Sequence, residues 1–325
     1  MKPQTEIEAA LQPLLLDPNG PNVVAIGGGH GQAAALEAIQ CYASRITALV
    51  TVADDGGSSG RLADLGIPAP GDLRRCLLAL TPEPSLWSEL FAHRFSDGDV
   101  VDHSLGNLII AGLAHLYGDF ESAITTAGRM LGAVGDVIPL ANDPLTLHAR
   151  IDGRDVVGQK SISLSRGVFE DIWIEPDDVV ASTRALAAIA GADQIVIGPG
   201  SLYTSIISAL KVKMLSEAVM QAPAQRVFVL NLVSQDGETM DMDGGQHLEA
   251  LEAHAGIVGP SVVVAHEGEL AVPEGHHAMT IDSDTAAERG WRVIYADVAA
   301  RDAEWPTHDP LRLGRVLENV FHGQR

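Results

Sequence analysis

The sequence predicts an α/β protein built on a doubly wound, mostly parallel sheet with helices on both faces, and three observations carry that expectation. Short apolar runs rich in β-branched residues recur along the chain, and near-continuous runs of this kind mark strands buried on both faces. They alternate with stretches of helical spacing, as crossover-connected parallel strands require. Several of the runs end in glycines, at the carboxyl ends of strands where open parallel sheets hold their ligands.

Residues 1–20 read as an N-terminal helical extension closed by the breaker Asp17-Pro18-Asn19-Gly20-Pro21. A single domain is expected over 21–325. Strands are expected at Val23–Ile26, Ile46–Val52, Gln194–Ile197, Arg226–Leu230, Ser261–Val264 and Trp291–Tyr295. Leu73, Cys76, Leu77 and Leu80 make one apolar helical stripe, with Asp72 placed either to cap that helix or to meet a ligand. Ser104 is placed to cap the run to Tyr117, and Ser201 the run to Leu210. From about 135 to 176 short alternating runs around Asp152-Gly153 predict a small antiparallel β insertion or a sheet extension, with Leu147–Ile151 and Asp155–Ile162 as strands.

Composition bounds the function. Acidic residues outnumber basic ones 43 to 21, a formal net charge of −22, which argues against nucleic acid and anionic membrane surfaces as partners. An anionic ligand must then be held by backbone N–H groups, helix N-termini and a few arginines. Cys41 and Cys76 have no metal or disulfide spacing, so both are expected as buried, inert thiols in helices. Neither a signal peptide nor a membrane span of about 18 apolar residues is apparent, and a cytoplasmic address is expected.

Six turns carry the candidate chemistry. Gly27-Gly28-Gly29-His30-Gly31 follows the first strand and suits a phosphate loop. It lacks a dinucleotide fingerprint because Gln32 stands where a small residue is required, and it lacks the Lys-Ser/Thr of a P-loop. No nicotinamide or flavin cofactor is therefore expected. Asp54-Asp55-Gly56-Gly57-Ser58-Ser59-Gly60-Arg61 offers two carboxylates for Mg2+ or ribose hydroxyls, with hydroxyl donors and a guanidinium for phosphate. Asp72 is followed by Arg74 and Arg75, off the apolar stripe, of which at least one is expected to face the site. His103 reads as a neutral hydrogen-bonding cap or a general acid-base group beside Asn107. Gly198-Pro199-Gly200-Ser201-Leu202-Tyr203-Thr204-Ser205 reads as a second anion-binding helix N-terminus. Asn231, Gln235 and Glu238 are candidates to read a base or sugar, or members of a surface loop.

In this order the six motifs, with Ala53 to Leu62, His103 to Leu108 and Asn231 to Thr239 in full, resemble the gluconeogenesis-factor (YvcK) branch of the 2-phospho-L-lactate transferase (CofD) superfamily. The resemblance covers about Asn22 to His254. It implies a Rossmann-like fold. In the transferase branch it implies Mg2+-dependent passage of a phospholactyl-type group from a guanosine diphosphate carrier to a deazaflavin alcohol. In the YvcK branch it implies a binder of UDP-sugars such as UDP-N-acetylglucosamine that supports wall synthesis and cell shape on gluconeogenic carbon. The leading expectation is a non-catalytic regulator of that second kind, with the transferase as alternative. A homodimer and an unidentified protein partner are further expectations. Three positions depart from the family pattern: His30 where a small residue or threonine is usual, Gln159 where glutamate often follows glycine, and Thr307 where arginine usually precedes His-Asp-Pro. That arginine is associated with holding the UDP-sugar, and Arg312 and Arg315 are the candidates to compensate.

Overall fold

A computed structural model describes residues 16–62, 65–82, 84–301 and 303–323. The helical extension expected at 1–20 lies outside the described residues up to 15, and residues 17–20 form a turn closed by Gly20 N–H donating to Asp17 O.

Seven parallel strands are built from the apolar runs: β1 (Asn22–Gly27), β2 (Arg45–Val50), β3 (Asp136–Pro139), β7 (Gln194–Ile197), β8 (Gln225–Val229), β9 (Ser261–His266) and β10 (Trp291–Ala296), in the order β10-β9-β8-β7-β1-β2-β3. All four residues of β7 and the last five of β1 are buried, so both faces of the sheet are covered. The helices Gly29–Ile39, Gly71–Ala79 and Pro310–Phe321 pack in one cluster, with Gly29–Ile39 touching the other two. Leu73, Cys76, Leu77 and Leu80 are all buried, as their spacing requires.

From β1 the chain winds outward through β2 and β3, then crosses back to β7 and winds the other way. The strand order reverses between β1 and β7, and such a reversal opens a crevice beyond the carboxyl ends of those two strands.

Three expectations are corrected. The antiparallel sheet is smaller than 135–176: it holds β4 (Thr146–Ile151), β5 (Arg154–Val157) and β6 (Phe169–Glu175) in the order β5-β4-β6, while Asp136–Pro139 joins the main sheet beside β2. A four-residue run ended by a proline is too short for its period to reveal which sheet it joins. Asp152-Gly153 does turn the hairpin, both residues at positive φ with Ile151 paired to Arg154, but Gln159–Ser163 is helical rather than strand. Cys76 is buried, and burial pushes its thiol well up. Cys41 lies just past the helix Gly29–Ile39 and is half-buried rather than buried within a helix.

Candidate functional site

A cavity of about 720 Å³ occupies the crevice. Its first wall is the turn from β1 into the helix Gly29–Ile39. Gly29 has φ +69°, a left-handed conformation that costs glycine little, and its N–H donates to Asp72 Oδ2 at 2.7 Å. Gly31 sits where a Cβ would lie 2.3 Å from Pro199 O, so the first helix and the β7 turn can approach this closely only with glycine there. The N–H groups of His30 and Gly31 lie in the first helical turn, which has no intrahelical acceptor. They are backbone donors at this end of the cavity.

Asp72 is not a cap. Pro70 holds the N-cap position, and Asp72 in the first turn of Gly71–Ala79 spans to Gly29 with one oxygen and to Arg75 with the other. This pairing presents Arg75 to the cavity, and among the described residues Arg75 is the one Lys or Arg lining it. Arg74, one residue earlier, is rotated about 100° around the helix. It is buried, donating to Asn107 Oδ1 at 3.0 Å and Phe91 O at 3.1 Å, so neither Arg74 nor Asn107 lines the cavity. His30 does line it, and burial followed by the nearby positive charges of Arg75 and Arg74 lowers its pKa.

The acidic loop divides. Asp54 lines the cavity and accepts from Gly56 N–H at 2.9 Å, whereas Asp55 turns to the Lys160 N–H at 2.8 Å. Asp55 therefore anchors the antiparallel sheet region to this loop rather than facing the cavity beside Asp54. Gly57–Arg61, with Ser58, Ser59 and Gly60, forms a short helix beside the cavity. Ser58 Oγ meets His103 Nδ1 at 3.2 Å, and Arg61 donates to Val101 O at 2.9 Å. This pair clamps the segment before the helix Leu105–Tyr117, and His103 does the work of a hydrogen-bonding group near that helix start.

The second wall is Pro199, Gly200 and Ser201 after β7, with Ser205 behind them. Asn231 clasps Gly200 from both sides: Nδ2 donates to Gly200 O at 2.9 Å and Oδ1 accepts from Gly200 N–H at 3.1 Å. Gln235 Nε2 donates to Ser201 Oγ at 2.6 Å. The expected second anion site is already filled. The helix Leu202–Ile207 has π geometry, and the buried carboxylate of Glu238 accepts from Tyr203 N–H at 3.0 Å, Thr204 N–H at 3.3 Å and the Thr204 hydroxyl. An internal anion thus satisfies that N-terminus. Tyr203 and Thr204 lie away from the cavity, Tyr203 stacked on Phe169 at 3.9 Å between ring centres.

Ser234 and Asp236, within Asn231 to Thr239, also line the cavity, and residues outside the six turns join them: His276, Trp305, Pro306 and His308. The last three arrive from the C-terminal segment, which Ala300 N–H binds through Thr307 O at 2.9 Å and Val298 O binds through Asp309 N–H at 2.8 Å. Asp309 then caps the helix Pro310–Phe321, with proline at the first turn where its missing N–H costs nothing. Thr307 and Gln159 both line the cavity. Neither candidate for compensation does: Arg312 is paired with Asp297, and Arg315 is exposed.

Gln32 explains the missing dinucleotide fingerprint in structural terms. Fully buried, it donates to Ala25 O at 3.2 Å and Leu49 O at 3.0 Å, tying β1 to β2 where a small residue would let the helix approach.

The model of the 2-phospho-L-lactate transferase CofD family matches residues 23–299. The chain belongs to that family. Within it, the chain is 42% identical over 311 residues to the gluconeogenesis factor of Bacillus subtilis (strain 168), covering 93% of this chain and 98% of that protein. It is also 42% identical over 239 residues to the gluconeogenesis factor of Halalkalibacterium halodurans, covering 73% and 74%. A crystal structure of a Bacillus halodurans protein superposes with a TM-score of 0.88 at 34% identity, covering 92% of this chain and 99% of that one. These likenesses place the chain in the gluconeogenesis-factor branch of the CofD family. Among the described residues no helix is long and apolar enough to cross a membrane.

Two buried histidines give this CofD-family fold a pH limit. Burial lowers both His247 and His308 to about 4, from an ordinary 6.5. A histidine kept neutral by folding but free to protonate when unfolded loses stability as pH falls below about 6.5, until the folded value is reached. Each is expected to cost about 1 kcal/mol by pH 5.5. Glu37 and Glu238, which burial holds above the usual carboxylate value, act in the opposite sense above 4.5 and reduce the net slope. Urea unfolding should therefore show stability falling by about 1–2 kcal/mol between pH 7 and pH 5.5, less in His247→Asn. A flat profile would show that these imidazoles are solvated.

Proposed function

We propose that the cavity binds a nucleotide sugar of the UDP-N-acetylglucosamine type, and that this chain is a non-catalytic regulator linking such a ligand to central carbon metabolism, wall synthesis and cell shape. The observation that supports it most directly is that Arg75 and the first-turn N–H groups of His30 and Gly31 belong to one cavity at the topological switch point. A diphosphate fits there by charge and by backbone donors, despite the protein's net charge of −22. The volume of about 720 Å³ is within the range of small-ligand sites and leaves room beyond the phosphates for a nucleoside and a sugar. Glu238 restricts the anion to one end, because the second helix N-terminus is closed to it. A downstream protein would hear the loaded state, and a homodimer is part of this proposal.

Isothermal titration calorimetry with UDP-N-acetylglucosamine, with and without Mg2+ and beside GDP, tests it. Micromolar binding without turnover is expected, weakened about 100-fold in Arg75→Gln. No binding of the UDP-sugar would overturn the reading.

The family's transferase chemistry is the second reading, favoured by Asp54 in the same cavity. Among the described residues no group of three or more His, Cys, Asp or Glu could hold a metal ion. The fit for Mg2+ is therefore Asp54 together with a ligand's diphosphate and water, the sparse protein coordination Mg2+ commonly takes. Mg2+ there would neutralise charge developing on a transferred phosphoryl group, while Arg75 and the first-helix amides hold the donor. Product formation from a guanosine-diphosphate-linked donor would select this reading.

A further inference from the structure

One residue lining the cavity carries a buried nitrogen with an unmet need. His308 is 8% exposed and lines the cavity, and its Nε2 is buried without a hydrogen-bond partner. The ring's other nitrogen is bonded to the backbone of Leu230. Because the Leu230 N–H is spent on Val264 O, that bond goes to the Leu230 carbonyl. A carbonyl can only accept, so Nδ1 carries the proton and Nε2 presents a lone pair. A buried lone pair repels phosphate oxygens and calls for a neutral N–H or O–H donor, and leaving it unmet costs free energy. Three residues earlier in the same segment, Trp305 is 48% exposed and lines the same cavity, edge-on to His276 at 5.0 Å between ring centres. A flat apolar face next to an unpartnered acceptor is the combination that receives a heterocyclic base by stacking and edge recognition.

We propose that the Leu230–Trp305–His308 end of the cavity is a base-reading subsite, in which Trp305 stacks the nucleobase and His308 Nε2 accepts a ring N–H from its edge. This rests on the nucleotide reading above and deepens it. The ligand then runs in one direction, phosphates toward Arg75 and His30, base toward His308. The rule for bases follows from the lone pair. Uracil and guanine carry a ring N–H on the pairing edge, whereas cytosine and adenine carry a second lone pair there, so the latter two are rejected. Sites built around a polar partner discriminate strongly against ligands that leave it unpaired.

The test is the affinity of the full chain for UDP, CDP and inorganic pyrophosphate, in the wild type, His308→Asn and Trp305→Leu. Asparagine keeps a donor for Leu230 O while removing the Nε2 lone pair. The wild type is expected to prefer UDP to CDP by on the order of thirtyfold, and His308→Asn to bring that ratio near one. Pyrophosphate affinity should be unchanged in His308→Asn, which also reports that the variant is folded. Trp305→Leu should weaken UDP and CDP together by about tenfold and leave pyrophosphate alone. As a second measurement on the wild type, the His308 Nε2 nitrogen resonance should move on adding UDP and not on adding pyrophosphate. UDP and CDP affinities both unchanged in His308→Asn overturn the subsite, and mean that the nitrogen serves an internal water beside His266. Equal weakening of UDP and CDP in His308→Asn also overturns it, by assigning the donor to a ribose hydroxyl. If the wild type binds pyrophosphate but no nucleotide, or binds none of the three, the nucleotide reading itself fails and this subsite with it.

Discussion

Glu238→Ala is expected to lower the unfolding free energy by about 3–5 kcal/mol. The carboxylate is 2% exposed and is the common acceptor for Tyr203 N–H, Thr204 N–H and the Thr204 hydroxyl. Removing it orphans three buried donors at once, and each unsatisfied donor costs about 1–3 kcal/mol unless water enters. The π-helix Leu202–Ile207 has few internal alternatives, since Ser205 and Ile206 N–H groups both already turn to Ser201 O. Glu238→Gln keeps one acceptor oxygen but turns an amide donor toward the cluster, and should cost about half as much. Chemical denaturation of the three proteins measures it. Equal stability of wild type and Glu238→Ala would mean that water replaces the carboxylate at no cost.

The same residue shows where sequence reading ends. The motif Gly198 to Ser205 has the glycines, hydroxyls and helix start of an anion site, and it is one, but its anion is the chain's own carboxylate, 34 residues beyond Thr204. Local composition describes what a turn offers and not what tertiary contact has already accepted. Arg74 and Arg75 differ by one step of helical rotation, which sends one into a polar contact with Asn107 and the other to the cavity. Their sequence context offers no way to choose between them without knowing where the neighbouring helix lies. Asp54 and Asp55 part in the same way, because Asp55 is claimed by the Lys160 amide of a region 105 residues away.

What was legible has equally physical causes. Strands buried on both faces are apolar through most of their length, so β1, β2, β7, β8 and β9 declare themselves; the edge strand β10 does so by its β-branched and aromatic run, and β3, short and ended by Pro139, does not. Gly27 to Gly31 and Gly198 to Gly200 are dense in glycine because two turns meet at the switch point, and that crowding is visible in composition alone. Trp305 and His308 were hidden for the opposite reason. They reach the cavity through the bridge between Ala299 and His308, after the last strand, in a segment with no glycine signature.

Gly31→Ala is expected to reduce affinity for UDP-N-acetylglucosamine by 100-fold or more, a larger change in binding than in stability. The new Cβ would lie 2.3 Å from Pro199 O, 2.7 Å from Pro199 C and 2.9 Å from Gly200 N, all backbone atoms that cannot swing aside. Relief requires the first helix and the β7 turn to separate by roughly 1 Å, enough to bring the methyl to ordinary contact distance. Those two segments are opposing walls of the proposed anion-binding end, so separation would move the His30 and Gly31 amides out of the arrangement that the proposal requires. Stability falls less, by about 1–3 kcal/mol for overpacking, partly offset by the better helix propensity of alanine. Gly29→Ala is the control. It meets no atom within 4 Å but must hold φ +69°, so it should cost about 1 kcal/mol in stability and much less in affinity. Calorimetric titration alongside denaturant unfolding separates the two. If Gly31→Ala binds the nucleotide sugar as tightly as wild type, the phosphates are not held at the joint between β1 and β7, and Arg75 must be serving the fold through Asp72 alone.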